Sequence, residues 1–424
     1  MTNPEVRNVE AQVTIGAEVF DLATINTASD VALAPLLSSV RRHLHAHPEV
    51  GFQEVNTARL ITRVLEAAGL HVTGSLAGTG LFVDIVGNYD GPTIAYRADM
   101  DALPTVDHKT VWYASTKADA AHLCGHDAHT TIAIGLAIVL NGLRDRLHGT
   151  VRVFFQPNEE GVPSGAPEMI RGGVLQNVDS VYAIHVDPTL PVGVIGLIKG
   201  AATAAADRFE VVVSGPGSGH SARPHNSVDT VWIATLIAQQ LYQLVGRITD
   251  SRNAAVLTIC RFQAGAAFNV IPGRVSFGGT LRCTDPSDRL LLKQRLIDAA
   301  HQIGALHHAT VGVTYEDGAP PVINQPELVD LVAETVATTM GRGRVAWIPA
   351  PSMGAEDFAY YLESTPGLLV RLGTASSPAT SYPLHDARFD IDENALVPAV
   401  RLMVEVLVRG LRLQAPARHN TEHG

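Results

Sequence analysis

Residues 122–143 read HLCGHDAHTTIAIGLAIVLNGL, a head crowded with histidine, cysteine and aspartate that runs into an apolar stretch. The apolar stretch predicts a helix over 129–143. Short apolar strands stand around it: LFVDIVG (81–87) and TIAYRAD (93–99) before, VRVFFQP (151–157) and VYAIHV (181–186) after. Strands alternating with a helix imply an α/β domain, its sheet largely parallel or mixed and its helices on both faces. Two further helices are expected upstream. SDVALAPLLSSVRRHLHAH (29–47) is ended by Pro48, and NTARLITRVLEAAGL (56–70) is stopped at Gly69.

From Arg208 the rhythm changes to strand (208–215), helix (227–246), two strands (254–265 and 274–283), helix (288–306) and strand (309–318). That βαββαβ order is a self-contained α+β unit. Helix and strand patterns of the first kind resume with LVDLVAETVATTM (328–340) and LLVRLGT (368–374). The expected organisation is a discontinuous domain over 31–206 and 318–413, an inserted domain over 207–317, and irregular termini at 1–30 and 414–424.

A chain of 424 residues is too long for one ordinary core, which agrees with two domains. The formal net charge of −11 argues against nucleic acid or an anionic membrane as partner. No apolar run is long enough to span a bilayer, and the first twenty residues do not resemble a secretory signal. Three cysteines, Cys124, Cys260 and Cys283, make no disulfide framework, so a reducing cytoplasm is the expected home; a Cys260–Cys283 bridge stays open.

In open α/β sheets chemistry collects beyond the carboxyl ends of strands. Here one strand ends in Asp99 with Asp101 close behind, one runs into Glu159 and Glu160, one runs into His185 and Asp187, and the Cys124–His129 loop precedes a helix. Thiolate, imidazole and carboxylate together suit a dinuclear centre for borderline divalent metals. One glutamate can ligate while its neighbour takes a proton from an activated water. A Cys–His nucleophile is the rival, and it leaves the glutamate pair without a role. Asp127 is expected to cap the helix near Thr130, and Asp101 to orient a ligand histidine. His129 reads as a hydrogen-bonded structural group, and His43, His45 and His47 as surface or core packing. SGPGSGH (214–220) lacks the pattern of a nucleotide loop.

Nine stretches resemble the M20 metallopeptidase family, in family order over about 40–395. They are RRHLHAHPEVGFQE (41–54), YRADMDALP (96–104), HLCGHDAHTT (122–131), FFQPNEEG (154–161), AIHVDP (183–188), GHSARPHNSVDTV (219–231), FNVIPGRVSFGGTLR (268–282), SMGAEDFAYY (352–361) and LHDARFDIDE (384–393). The likeness is to the amidohydrolase branch, with its hippurate hydrolases, N-acyl-amino-acid deacylases and indole-acetyl-amino-acid hydrolases. It implies a zinc-peptidase-like mixed-sheet catalytic domain with an inserted ferredoxin-like lid, and a homodimer or higher homo-oligomer formed through that lid. It implies two divalent ions per subunit (Mn, Zn, Co or Ni) held by Cys124 as the bridging thiolate with His126, Glu160, His185 and His385. Glu159 would be the general base. His225 would reach an active site, serving the partner subunit, with Asn269, Arg282 and the backbone at Gly354 contacting a small amide substrate. Asp101 and Asp127 would support the ligands. An M20-type dipeptidase and a non-catalytic metal-binding protein are the alternative readings. Leu123 and the bulky Val111-Trp112-Tyr113 depart from the branch and bear on pocket shape.

Overall fold

The computed structural model describes residues 12–22 and 30–414. The chain divides into two compact units: Met1–Lys199 with Asn324–Pro349 and Tyr360–Gly424, and Gly200–Ile323 with Ala350–Ala359. Residues 350–359, assigned from the sequence to the discontinuous domain, therefore pack with the second unit.

The first unit is built on an eight-stranded mixed sheet. Its strands are β3 (Val72–Leu76), β4 (Gly80–Val86), β5 (Tyr89–Asp99), β6 (His148–Gln156), β7 (Ser180–Pro191), β8 (Ile195–Leu197), β13 (Val345–Trp347) and β14 (Gly367–Ala375). They lie in the order β13-β8-β14-β7-β5-β6-β4-β3. The four central strands β14, β7, β5 and β6 run parallel. The last six residues of β5 are all buried, as a strand covered on both faces requires. The helices are α1 (Asp30–Ala46), α2 (Val55–Ala67), α3 (His126–Asn141), α6 (Pro326–Val336) and α7 (Leu396–Gln414). Every residue of α3 from His126 to Leu140 is buried: from Ile132 on it is apolar all round, and the helix packs against α1, α7 and β5.

Within 1–30, expected to be irregular, the described residues form a hairpin of β1 (Gln12–Ile15) and β2 (Glu18–Asp21) turned at Gly16, φ +60°. Val13, Ile15 and Leu22 join the main core. Residues 1–11, 23–29 and 415–424 lie outside the described residues.

The second unit has the expected βαββαβ order. Its elements are β9 (Ala205–Ser214), α4 (Thr230–Ile248), β10 (Ala255–Gln263), β11 (Arg274–Cys283), α5 (Pro286–Leu306) and β12 (Thr310–Glu316). The sheet order is β10-β11-β9-β12, all antiparallel. Along β9, Ala205, Asp207, Phe209, Val211 and Val213 face inward in strict alternation. Phe209, Val211 and Val213 join Ile233, Ile237, Leu292 and Leu296 of the two helices in one core. Cys260 is exposed, Cys283 is buried, and both are free, which removes the disulfide left open above. Among the described residues, no helix is long and apolar enough to cross a membrane.

Candidate metal centre

The parallel register sets candidate ligands side by side. Asp99 pairs with Gln156 at the ends of β5 and β6, and Arg97 pairs with Ala183, which brings His185 level with Asp99. The Cys124 loop closes over this edge through Gly125, whose φ of +88° favours glycine. A Cβ there would stand 2.3 Å from Val186 Cγ2, so the loop lies tight against the residue next to His185.

The helix begins at His126, earlier than the expected 129, and Gly125 is its N-cap. Asp127 is thus not the cap: it sits in the first turn, and its Oδ2 accepts from Arg41 Nε (2.8 Å) and His45 Nδ1 (2.7 Å). His45, expected at the surface or in packing, is a fully buried partner of this carboxylate.

Hydrogen bonds fix which ring nitrogen of each histidine is free to ligate. His185 Nδ1 donates to the carbonyl of Val186 at 2.8 Å, leaving Nε2 facing Cys124 Sγ at 3.6 Å. His126 Nδ1 donates to the Asp101 carbonyl (2.9 Å) and reaches Oδ1 of the same residue (3.2 Å). Asp101 therefore holds the orientation of this ring. His126 Nε2 is buried and has no hydrogen-bond partner. Around it stand Asp99 Oδ2 at 3.7 Å, Glu159 Oε2 at 4.0 Å and Glu160 Oε1 at 4.0 Å. His385 Nε2 lies 3.2 Å from Glu160 Oε1, and its backbone N–H donates to the carbonyl of Leu123 at 2.8 Å. His129 is excluded as a ligand: Nδ1 donates to Asp99 Oδ1 (2.7 Å) and Nε2 accepts from the Val186 N–H (2.9 Å).

Two of the trios that could hold an ion overlap. Ligand atoms of Cys124, His126 and His185 lie within 4.8 Å of one another, as do those of Cys124, Glu160 and His385. Cys124 belongs to both. Burial, with Glu159 and Glu160 nearby, pushes its thiol up, and His126 offsets only part of this. Burial disfavours a charged His126, yet Asp99, Asp101 and Cys124 together hold its pKa well above the usual value. His385 is raised chiefly by its hydrogen bond to Glu160. His185 is lowered by burial first, then by His129 and Arg371. Soft and hard donors with an orphaned imidazole nitrogen among them fit divalent cations.

The remaining expected residues belong to the second unit. His225 is exposed in the turn Pro224–Asn226, and the Asn269 carbonyl accepts from the Ser221 N–H at 3.1 Å. Arg282 Nη1 donates to the Met353 carbonyl at 2.8 Å, and the Gly354 carbonyl accepts from the Ala204 N–H at 3.1 Å.

Two residues escaped the sequence reading. Arg41 is fully buried between Asp127 and Asp390, its Nη2 2.5 Å from Asp390 Oδ1. The signal was a charge at core spacing, since Leu37, Val40 and Leu44 of the same helix are all buried. Glu54 is the other: its Oε1 accepts from the Asn158 N–H, next to Glu159.

Known proteins resemble this chain in sequence and in fold. Residues 95–409 match peptidase family M20/M25/M40. A probable hydrolase of Synechocystis is 40% identical over 370 residues, covering 87% of this chain and 94% of that protein. An N-acetyl-L-cysteine deacetylase of Bacillus subtilis is 36% identical over 404 residues, covering 94% and 95%. Among solved structures, the Bacillus subtilis YXEP protein, described as a dinuclear metal binding peptidase from the M20 family, superposes with a TM-score of 0.81. It shares 35% identity, and the match covers 91% of this chain and 99% of that one. A match across most of the chain, in sequence and in fold alike, makes this protein a member of peptidase family M20/M25/M40.

Proposed function

We propose that the protein is a metal-dependent amidohydrolase that cleaves the amide bond of N-acyl amino acids or related small amides. The observation that carries the reading is the pair of ligand trios sharing Cys124. Cys124, His126 and His185 would hold one divalent ion, and Cys124, Glu160 and His385 the other. Mn²⁺, Zn²⁺, Co²⁺ and Ni²⁺ all suit such donors. Bound there, the ions would supply the Lewis acidity that makes water nucleophilic near neutral pH.

Glu159, whose Oε2 lies 4.0 Å from His126 Nε2, takes the proton of the attacking water and returns it to the leaving amine, the role that the family resemblance implies. The His225 imidazole donates to the developing oxyanion from a partner subunit, which makes a homodimer the working assembly. The N-acyl amino acid class is supported by the likeness to a deacetylase of N-acetyl-L-cysteine.

A panel of N-acyl amino acids and dipeptides, run with and without chelator, tests the reading. Hydrolysis of the acyl compounds is expected, lost on chelation and restored by added divalent metal. Cleavage of dipeptides alone would turn the reading to a dipeptidase. Metal bound with no panel member hydrolysed would refute catalysis.

A further inference from the structure

The turn that carries Glu159 and Glu160 is held from both sides by carboxylates that the proposed mechanism does not use. On one side, Glu54 Oε1 accepts from the Asn158 N–H at 2.9 Å. On the other, Asp101 Oδ2 accepts from the Glu160 N–H at 3.0 Å. Glu159 sits between these two anchored amides.

Glu54 is fully buried and precedes α2 as its N-cap residue, yet its side chain makes no capping bond. Its carboxylate is engaged elsewhere. Besides Asn158, Oε1 accepts from the Phe52 N–H at 3.0 Å, and Oε2 accepts from the Thr79 hydroxyl at 2.7 Å. Charge-assisted bonds of this kind are roughly twice as strong as neutral ones.

Asn158 itself has φ +52°, a left-handed conformation that Asn tolerates better than most side chains. Its Nδ2 donates to the Pro163 carbonyl (2.7 Å), and its carbonyl accepts from the Gly165 N–H (2.8 Å). Gly51 and Gly161 leave the room its amide needs. A Cβ at either would lie 1.8 or 2.1 Å from Asn158 Oδ1.

We propose that Glu54 is a positioning residue: with Asp101, it fixes the peptide on both sides of Glu159 and so aims the Glu159 carboxylate. The inference rests on the role given to Glu159 above. It separates Glu54 from a general structural role, because the anchored segment is short and carries the proton-transfer group.

The test is Glu54→Ala beside Glu54→Gln in the full-length, metal-loaded protein. Glutamine can keep its carbonyl toward both N–H groups and donate its amide to Thr79, so the geometry survives without the charge. In Glu54→Ala, amide hydrogen exchange should rise across 157–165 and stay near wild type elsewhere, with metal content unchanged. On N-acyl substrates kcat should fall about 10- to 100-fold, the scale of a misplacement near 1 Å, with KM within a few-fold. Glu54→Gln should restore both exchange and kcat. Unchanged exchange, unchanged kcat, or metal lost in step with kcat would each overturn the inference, as would a Gln variant as impaired as the Ala one. If the wild type hydrolyses no N-acyl substrate, the functional reading fails on its own, and exchange alone decides the anchoring.

Discussion

Glu159→Gln is expected to keep its metal and lose about 10²- to 10⁴-fold in kcat, the range for removing a general base. Glutamine has nearly the same shape, so packing against the turn is unchanged. Its amide oxygen cannot take a proton from water at neutral pH, nor pass one to the departing amine. Neither trio that shares Cys124 includes Glu159: Cys124, His126 and His185 close one group and Cys124, Glu160 and His385 the other. Metal content by elemental analysis and single-turnover kinetics check the two halves separately. Turnover near wild type would remove Glu159 from proton transfer, and loss of metal would make it a ligand instead.

Arg41→Met is expected to cost about 3–5 kcal/mol in unfolding free energy, the penalty for stranding buried charges. The methionine fills much of the same volume. What is lost is the only guanidinium shared by Asp127 and Asp390 among the described residues. Asp127 lies beside His126 in the first turn of α3, while Asp390 follows His385, so Arg41 ties together two segments that carry candidate ligands.

The pH dependence gives this prediction a sign. Burial alone would raise the Asp127 carboxyl, but Arg41 and then His45 hold it well below the usual carboxylate range. A depressed folded pKa contributes stability above the unfolded value near 4, and that stability is lost as pH falls through the folded pKa. Without Arg41 the carboxyl rises instead, and a protonated Asp127 needs no cation. Urea unfolding at several pH values should therefore show the deficit of the variant shrinking toward acid pH. A deficit below 1 kcal/mol, or one that does not change with pH, would contradict the clamp.

The sheet and the polar residues at its edge were legible because both leave local marks. Parallel central strands are apolar throughout, and each runs straight into its polar residues, so TIAYRAD points to Asp99 and VRVFFQP to Glu159. The βαββαβ unit was legible for a similar reason, since β9 alternates strictly and α4 and α5 are long. The β1–β2 hairpin was not, because two four-residue strands around a single glycine carry little periodic signal. The start of α3 was misplaced because Gly125 opens it by backbone conformation, with no capping side chain to read. His129 and Asp127 could be separated from the ligands only by their partners, which lie far off in the chain at Val186 and Arg41. Glu54 was invisible for the same reason: its partner Asn158 is 104 residues away.

A thiolate shared by both ions should govern the binding of both. Counting ions per chain by equilibrium dialysis and elemental analysis, for wild type and for Cys124→Ala, asks this directly. Two divalent ions per wild-type chain are expected, with both weakened together when the thiolate is removed. A wild type that binds none, or a Cys124→Ala variant that binds two as tightly as before, would contradict the account.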